Sequence, residues 1–372
     1  MMKEETKKLR LTSKLLKPLA AEMALGEVTT LKEPRVLQNW LLWLEQRPAE
    51  SGRTTALIRP WGRSDLPAQE LTPAPINIRS RVHSYGGAPL ATSCDGDCLL
   101  ITWIDDSDGC LWVQSWQGLS CRTIDQKTWF ESSQLPKRLS CKGDYALADG
   151  FIDSFESRWI GVMERDGKDF LVSFDLNQVG QAPRVIYRPQ DFAGYAALSP
   201  DGTQLAWVEW QYPSMPWDAS QLWWGRFDKS GAIAEKKLLA GNSSPTVKET
   251  SVFQPIWLSS GELLVSEDSS GWWNLMMLDN KMDFDDPMWN RIWPMEAETA
   301  MPQWVYGMST TTSDGKQIVS ACCHKGHWRI NLLSFDGLIS EFDQPFDDLT
   351  GLHADNNRVV AIASNSLKEP GL

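Results

Sequence analysis

A seven-bladed β-propeller is the fold the sequence predicts, and three observations predict it. Apolar residues alternate with polar ones at period 2 through most of the chain. The alternating stretches are punctuated by Asp-Gly or polar turns, which supply the positive φ that a tight hairpin needs. The units so defined number about seven and begin roughly 40–60 residues apart, the spacing of blades built from four short strands. A pair of β-sandwiches is the alternative, and the repeat spacing argues against it.

The units run in order along the chain. Weak copies lie at the two ends, 37–61 and Leu352–Ala363 (LHADNNRVVAIA). Between them, TSCDGDCLLITWIDDSDGCLWVQSW (92–116) reads as turn, strand, Asp-Gly turn, strand. FESRWIGVMERDGKDFLVSFDL (155–176) repeats that grammar, and LSPDGTQLAWVEW (198–210) precedes a Pro-rich loop and the strand QLWWGRF (221–227). WLSSGELLVSEDSSGWWNLMML (257–278) and TTSDGKQIVSACCHKGHWRINLLSF (311–335) complete the set. One four-stranded blade cannot cover its own faces, whereas neighbours closed into a ring can. The expected division is an N-terminal extension over 1–36, with a short helix at Pro18–Ala24, and a propeller over 37–372. The last blade is expected to be incomplete, or closed by the N-terminal segment, because only SNSLKEPGL follows Ala363. On that ground the natural protein is expected to continue beyond Leu372.

Composition narrows the function. The 372 residues are 42% hydrophobic and 23% charged, which argues against wholesale disorder. With a formal charge of −12 and no dense Lys/Arg block, no nucleic-acid partner is expected. The apolar runs are too short to span a bilayer, so no membrane partner is expected either. Seven cysteines (Cys94, Cys98, Cys110, Cys121, Cys141, Cys322, Cys323) at irregular spacing read as reduced thiols of a cytoplasmic protein. Twenty tryptophans are the unusual number. They suit stacked sheets or an aromatic-lined cleft.

Catalytic motifs are missing. No G-x-S-x-G, H-E-x-x-H, P-loop or glycine-rich dinucleotide turn occurs, so the chain alone is expected to be inactive, without catalytic residues, metal or cofactor. Cys322, Cys323, His324 and His327 have ligand chemistry, but adjacent strand residues point to opposite faces. Asp105, Asp106 and Asp108 flank a turn, and Asp283, Asp285 and Asp286 lie in a polar loop; neither group has the spacing of a calcium loop.

Three aromatic loops stand out: EWQYPSMPWD (209–218), GWWN (271–274) and PQWVYGM (302–308). Two readings are open for them. They line one mouth of the propeller and meet a substrate or second domain, or they pack between blades.

These loops carry a resemblance. QRPAESGR (46–53), TPAPINIRSRVHSYGG (72–87), LSPDGTQLAWVEWQYPSMPWD (198–218), SVFQPIW (251–257), GWWNL (271–275) and PMEAETAMPQWVYGMS (294–309) run in one order along the chain. In that order they resemble the N-terminal propeller of the prolyl oligopeptidase family of serine peptidases, in its acylaminoacyl-peptidase and dipeptidyl-aminopeptidase branch. Ser84 departs from the family's R-V-H-E-Y-G-G run, which puts any role of that Glu in doubt here.

The resemblance implies a propeller that caps an α/β-hydrolase domain, in cis or in trans, and limits access to short peptides. The candidates it suggests for the substrate and domain interface are His83, Tyr85, Glu209, Trp210, Trp217, Asp218, Trp272, Trp273 and Trp304. A stand-alone propeller acting as an interaction module is the competing expectation.

Overall fold

A computed structural model describes residues 28–119, 128–132, 134–241, 249–279 and 287–372. It contains seven antiparallel sheets, each built from consecutive strands of the chain. Blade 1 comprises Thr30–Leu37, Trp40–Arg47, Arg53–Pro60 and Gln69–Glu70. The innermost strands of blades 2 to 7 are Leu90–Asp95, Ala146–Asp153, Phe192–Leu198, Val252–Trp257, Thr311–Ser313 and Asp348–Asp355. Successive inner strands follow one another around one axis, packed side by side or, for blades 1 and 2 and blades 5 and 6, linked by Arg35 donating to the Leu90 carbonyl and Gln254 to the Thr311 carbonyl, and Asp348–Asp355 returns to touch Thr30–Leu37. The ring is a seven-bladed all-β propeller.

Two expectations change in detail. Residues 30–36, placed in the extension by sequence, form most of the inner strand of blade 1. Residues 37–61 supply the next two strands of that blade, so they do not complete the last one. Blade 7 is incomplete, as expected, with three strands, Asp348–Asp355, Arg358–Asn365 and Lys368–Gly371, the last made from the tail that follows Ala363. The expected helix at Pro18–Ala24, Cys121, and Asp283, Asp285 and Asp286 lie outside the described residues.

Blade 7 meets blade 1 through side chains as well as apolar packing. The Val36 N–H donates to His353 Nδ1 (3.2 Å), the Gln38 N–H donates to Asp355 Oδ2 (2.9 Å), and the Arg358 guanidinium donates to the Gln38 carbonyl. Burial, with the Arg35 charge adding to it, pushes His353 down to about 3, so the imidazole is neutral and its Nδ1 is free to accept.

The core lies between blades. Trp103, Trp129, Trp159, Trp207 and Trp224 are among the largest fully buried side chains. That accounts for much of the tryptophan content: flat rings fill the wedge between neighbouring sheets. Five inner strands also carry a bulge. Register breaks occur at Lys32/Arg35, Ala148/Phe151, Gly194/Ala197, Phe253/Ile256 and Thr350/His353. Each break holds a residue with left-handed φ, namely Glu33, Asp149, Tyr195, Gln254 and Gly351. A bulge bends the strand and re-aims its side chains, and here it turns them toward the axis. Glu33, Asp149, Tyr195, Gln254 and His353 all line the cavity there.

Candidate functional site

Strand alternation decides which loops share a face. In an up-and-down blade, the chain enters the first strand at the same end at which the second strand turns into the third. The links between blades and the second-to-third hairpins therefore lie on one face of the disc. The first-to-second and third-to-fourth turns, including 199–203 (SPDGT), lie on the other. All nine residues singled out from sequence belong to the first face or to strand ends that reach it. His83 and Tyr85 lie in the link into blade 2, and Trp304 in the link into blade 6. Glu209 to Asp218 end one strand and form the hairpin of blade 4, and Trp272 and Trp273 sit in the hairpin of blade 5.

That face is apolar where these loops project. Tyr85 is 73% exposed, Tyr212 82% and Trp304 59%; Met215, Trp272 and Val305 are also exposed. Trp217 and Trp304 touch with ring centroids 4.4 Å apart, which joins the blade 4 hairpin to the link into blade 6. Asp218 is exposed and holds its own turn, its Oδ2 accepting the Met215 N–H at 3.2 Å. Tyr212, Met215 and Val305 were absent from the sequence selection although their loops were in it.

Two of the selected residues face inward instead. Glu209 is buried and accepts the Trp207 indole N–H at 2.7 Å, because residues two apart on a strand share a side. Burial raises its carboxyl above the usual range against the hydrogen bonds from Trp207 and Tyr187. Trp273 is buried against Phe253, while its neighbour Trp272 in the same hairpin is exposed. Trp210 is half-buried, stacked on Phe192 at 5.8 Å.

His83 anchors the link into blade 2. Its backbone N–H donates to Glu164 Oε2 (2.7 Å), and its Nε2 lies 3.0 Å from Asp169 Oδ1. Burial lowers its basicity, yet the hydrogen bond to Asp169 and the charges of Asp169 and Glu164 outweigh that and hold it above its ordinary value. Asp169, whose side chain is fully buried, also accepts the Tyr306 hydroxyl (3.0 Å) and the Ala193 N–H (3.1 Å). The glycines beside His83 are required by close approach. A Cβ on Gly86 would stand 2.4 Å from the Ser80 carbonyl oxygen, and one on Gly87 would stand 2.5 Å from that of Tyr306. Ser84 is exposed with left-handed φ, next to this network and outside it.

The remaining chemistry-bearing residues lie within blades or in the second-to-third hairpins of blades 2 and 6, where their partners hold local structure. Cys322 is buried and accepts from Asn331 Nδ2 (3.3 Å), while His327 pairs with Asp347 on an exposed hairpin. Asp105 and Asp108 accept hydrogen bonds inside their own turn, and Asp106 pairs with Arg81. Among the described residues no helix is long and apolar enough to cross a membrane.

No family model and no curated protein matches the chain. Solved structures do. A puromycin-hydrolyzing peptidase of Mycobacterium tuberculosis is 23% identical with a TM-score of 0.74, over 90% of this chain and 50% of that one. A puromycin hydrolase is 24% identical with a TM-score of 0.77, over 93% and 52%. Prolyl oligopeptidase B from Galerina marginata is 11% identical with a TM-score of 0.58, over 91% and 47%. The likeness is one of fold, to the propeller portion of such peptidases, and the chain spans about half the length of the structures it matches.

Proposed function

We propose that this propeller is the non-catalytic half of a serine peptidase, docking an α/β-hydrolase domain in cis or in trans and restricting access to short peptides. The observation that supports it best is the single face on which Tyr85, Tyr212, Trp272 and Trp304 are all exposed. Contiguous apolar surface rimmed by polar groups marks an interaction site. The branch it fits best is that of acylaminoacyl-peptidases and dipeptidyl aminopeptidases, as the aromatic loops imply, and the place of action is the cytoplasm.

The chemistry in this reading belongs to the hydrolase domain: a serine attacks the peptide carbonyl, a histidine takes its proton, and an oxyanion hole holds the intermediate. The propeller contributes by excluding folded chains and bulk water and by orienting the peptide. The touching pair Trp217 and Trp304 is the surface offered to the apolar part of the peptide or to the partner domain. Trp217→Ala and Trp304→Ala in the peptidase that carries this propeller are each expected to raise KM for a short peptide by about tenfold, the size of one aromatic contact, with kcat little changed. Unchanged KM together with unchanged association would remove this pair from the site.

A further inference from the structure

The chain leaves the inner edge of blade 6 and returns to it. Glu298 pairs with Cys323 through two backbone hydrogen bonds (3.0 and 2.8 Å), and the Ala321 N–H donates to the Thr310 carbonyl (2.7 Å). Residues 298 and 310 thus oppose positions only two apart on the strand Gln317–His324. The Thr310 hydroxyl donates to the Thr299 carbonyl at 2.7 Å and ties the base. Between them, residues 300–309 form a closed Ω-loop.

The loop's partners lie around most of the ring. The Gln303 amide donates to the Val252 carbonyl of blade 5 (3.2 Å), and the Tyr195 hydroxyl of blade 4 donates to the Val305 carbonyl (3.0 Å). The Tyr306 hydroxyl reaches Asp169 of blade 3 (3.0 Å) and the Ala193 carbonyl of blade 4 (2.8 Å). Tyr306 also bridges in parallel to Gly87 ahead of blade 2, and Ser309 donates to the Leu352 carbonyl of blade 7 (2.7 Å). A loop rooted in blade 6 with partners on blades 2, 3, 4, 5 and 7 must cross the axis. Gly307, Met308 and Ser309 accordingly form one wall of the 250 Å³ axial cavity, whose other walls carry Glu33, Asp149 and His353.

We propose that residues 300–309 are a fixed stopper that closes the axial channel on the aromatic face. A peptide then reaches the docking interface from the side, between propeller and hydrolase domain, and not along the axis. The route rests on the function proposed above; the stopper is a property of this chain alone. Its seating is that of core and not of a lid. Tyr306 is 7% exposed, and the bare Cα positions of Gly87 and Gly194 make room for it: a Cβ on Gly194 would stand 2.3 Å from the Tyr306 ring. Swinging the loop out would uncover the Asp169 carboxylate and strand the Tyr195 hydroxyl.

Hydrogen exchange on the chain, read at residues 303–309, tests the stopper. In the wild type these amides are expected to exchange within about tenfold of the inner-strand amides that follow, 311–313. Tyr306→Phe, which keeps the ring and removes both of its hydrogen bonds, is expected to speed them by about tenfold or more and leave other blades unchanged. Wild-type exchange as fast as that of the exposed 211–218 loop would overturn the stopper. In the assembled peptidase, Tyr306→Phe should leave kcat/KM for a short chromogenic peptide within about twofold. A rise of about tenfold would make the loop a gate to an axial entrance and overturn the lateral route. A wild-type chain with no associated peptidase would contradict the proposed function, and the exchange result would still decide the stopper.

Discussion

Trp207→Ala is expected to lower the free energy of unfolding by about 5 kcal/mol, a large part of the total stability of a typical domain. Trp207 is fully buried in the blade 4 core, with its ring 4.8 Å from that of Tyr187. Truncation removes that packing and leaves a cavity, which costs about 3–5 kcal/mol for an aromatic residue. It also takes away the donor at 2.7 Å from Glu209, a buried carboxyl. Stranding such an acceptor adds about 1–3 kcal/mol. Trp207→Phe separates the two effects, since it keeps most of the volume and loses the indole N–H. Urea unfolding measures both, and a loss below about 2 kcal/mol for the alanine variant would mean that blade 4 collapses around the gap.

Asp149→Asn is expected to stabilise the protein, and the gain depends on pH. Asp149 is half-buried at the wall of the axial cavity and accepts the Tyr195 N–H. Burial raises its carboxyl to about 6, against that hydrogen bond; the Glu33 charge adds to the rise and Arg35 opposes it. The folded value lies above the unfolded one near 3.9. The native state therefore holds the proton more tightly, and the stability linked to it is complete below about pH 4 and lost as pH rises through about 6. Asparagine never ionises, accepts the same N–H, and tolerates the left-handed backbone at this position. The variant should gain about 2–3 kcal/mol at pH 7.5 and less than about 1 kcal/mol at pH 4, read from urea midpoints. Destabilisation at pH 7.5 would show that the attraction of Arg35 for the ionised carboxylate outweighs its burial.

Much of the ring was legible in the sequence because its signals are local. Asp-Gly turns, period-2 strands and their spacing define each blade without reference to the others. The bulges were not legible, since four of the five left-handed positions hold Glu33, Asp149, Tyr195 and Gln254 and only the fifth, Gly351, is glycine. Nor was the path of residues 300–309. PQWVYGM reads as an aromatic turn, and nothing local to it names Asp169 or Ala193, which lie 137 and 113 positions earlier. The inner strand of blade 1 was assigned too late because TLKEPRVL begins with polar residues and breaks its alternation at the bulge. The aromatic loops that carry the resemblance fall on one face of the ring, while the contribution of each side chain depends on partners that only the folded ring brings near.

The central claim is that this propeller works together with a serine hydrolase. It is tested most directly by capturing the native protein with an antibody to the propeller and treating the captured material with a fluorophosphonate, which labels activated serines. The account predicts one labelled species, either the captured chain itself at a mass well above 42 kDa or a second protein bound to it. Trp217→Ala or Trp304→Ala should loosen that association if the partner is separate. Captured protein of 42 kDa with no labelled serine hydrolase in cis or in trans would contradict the claim and leave a free-standing interaction propeller.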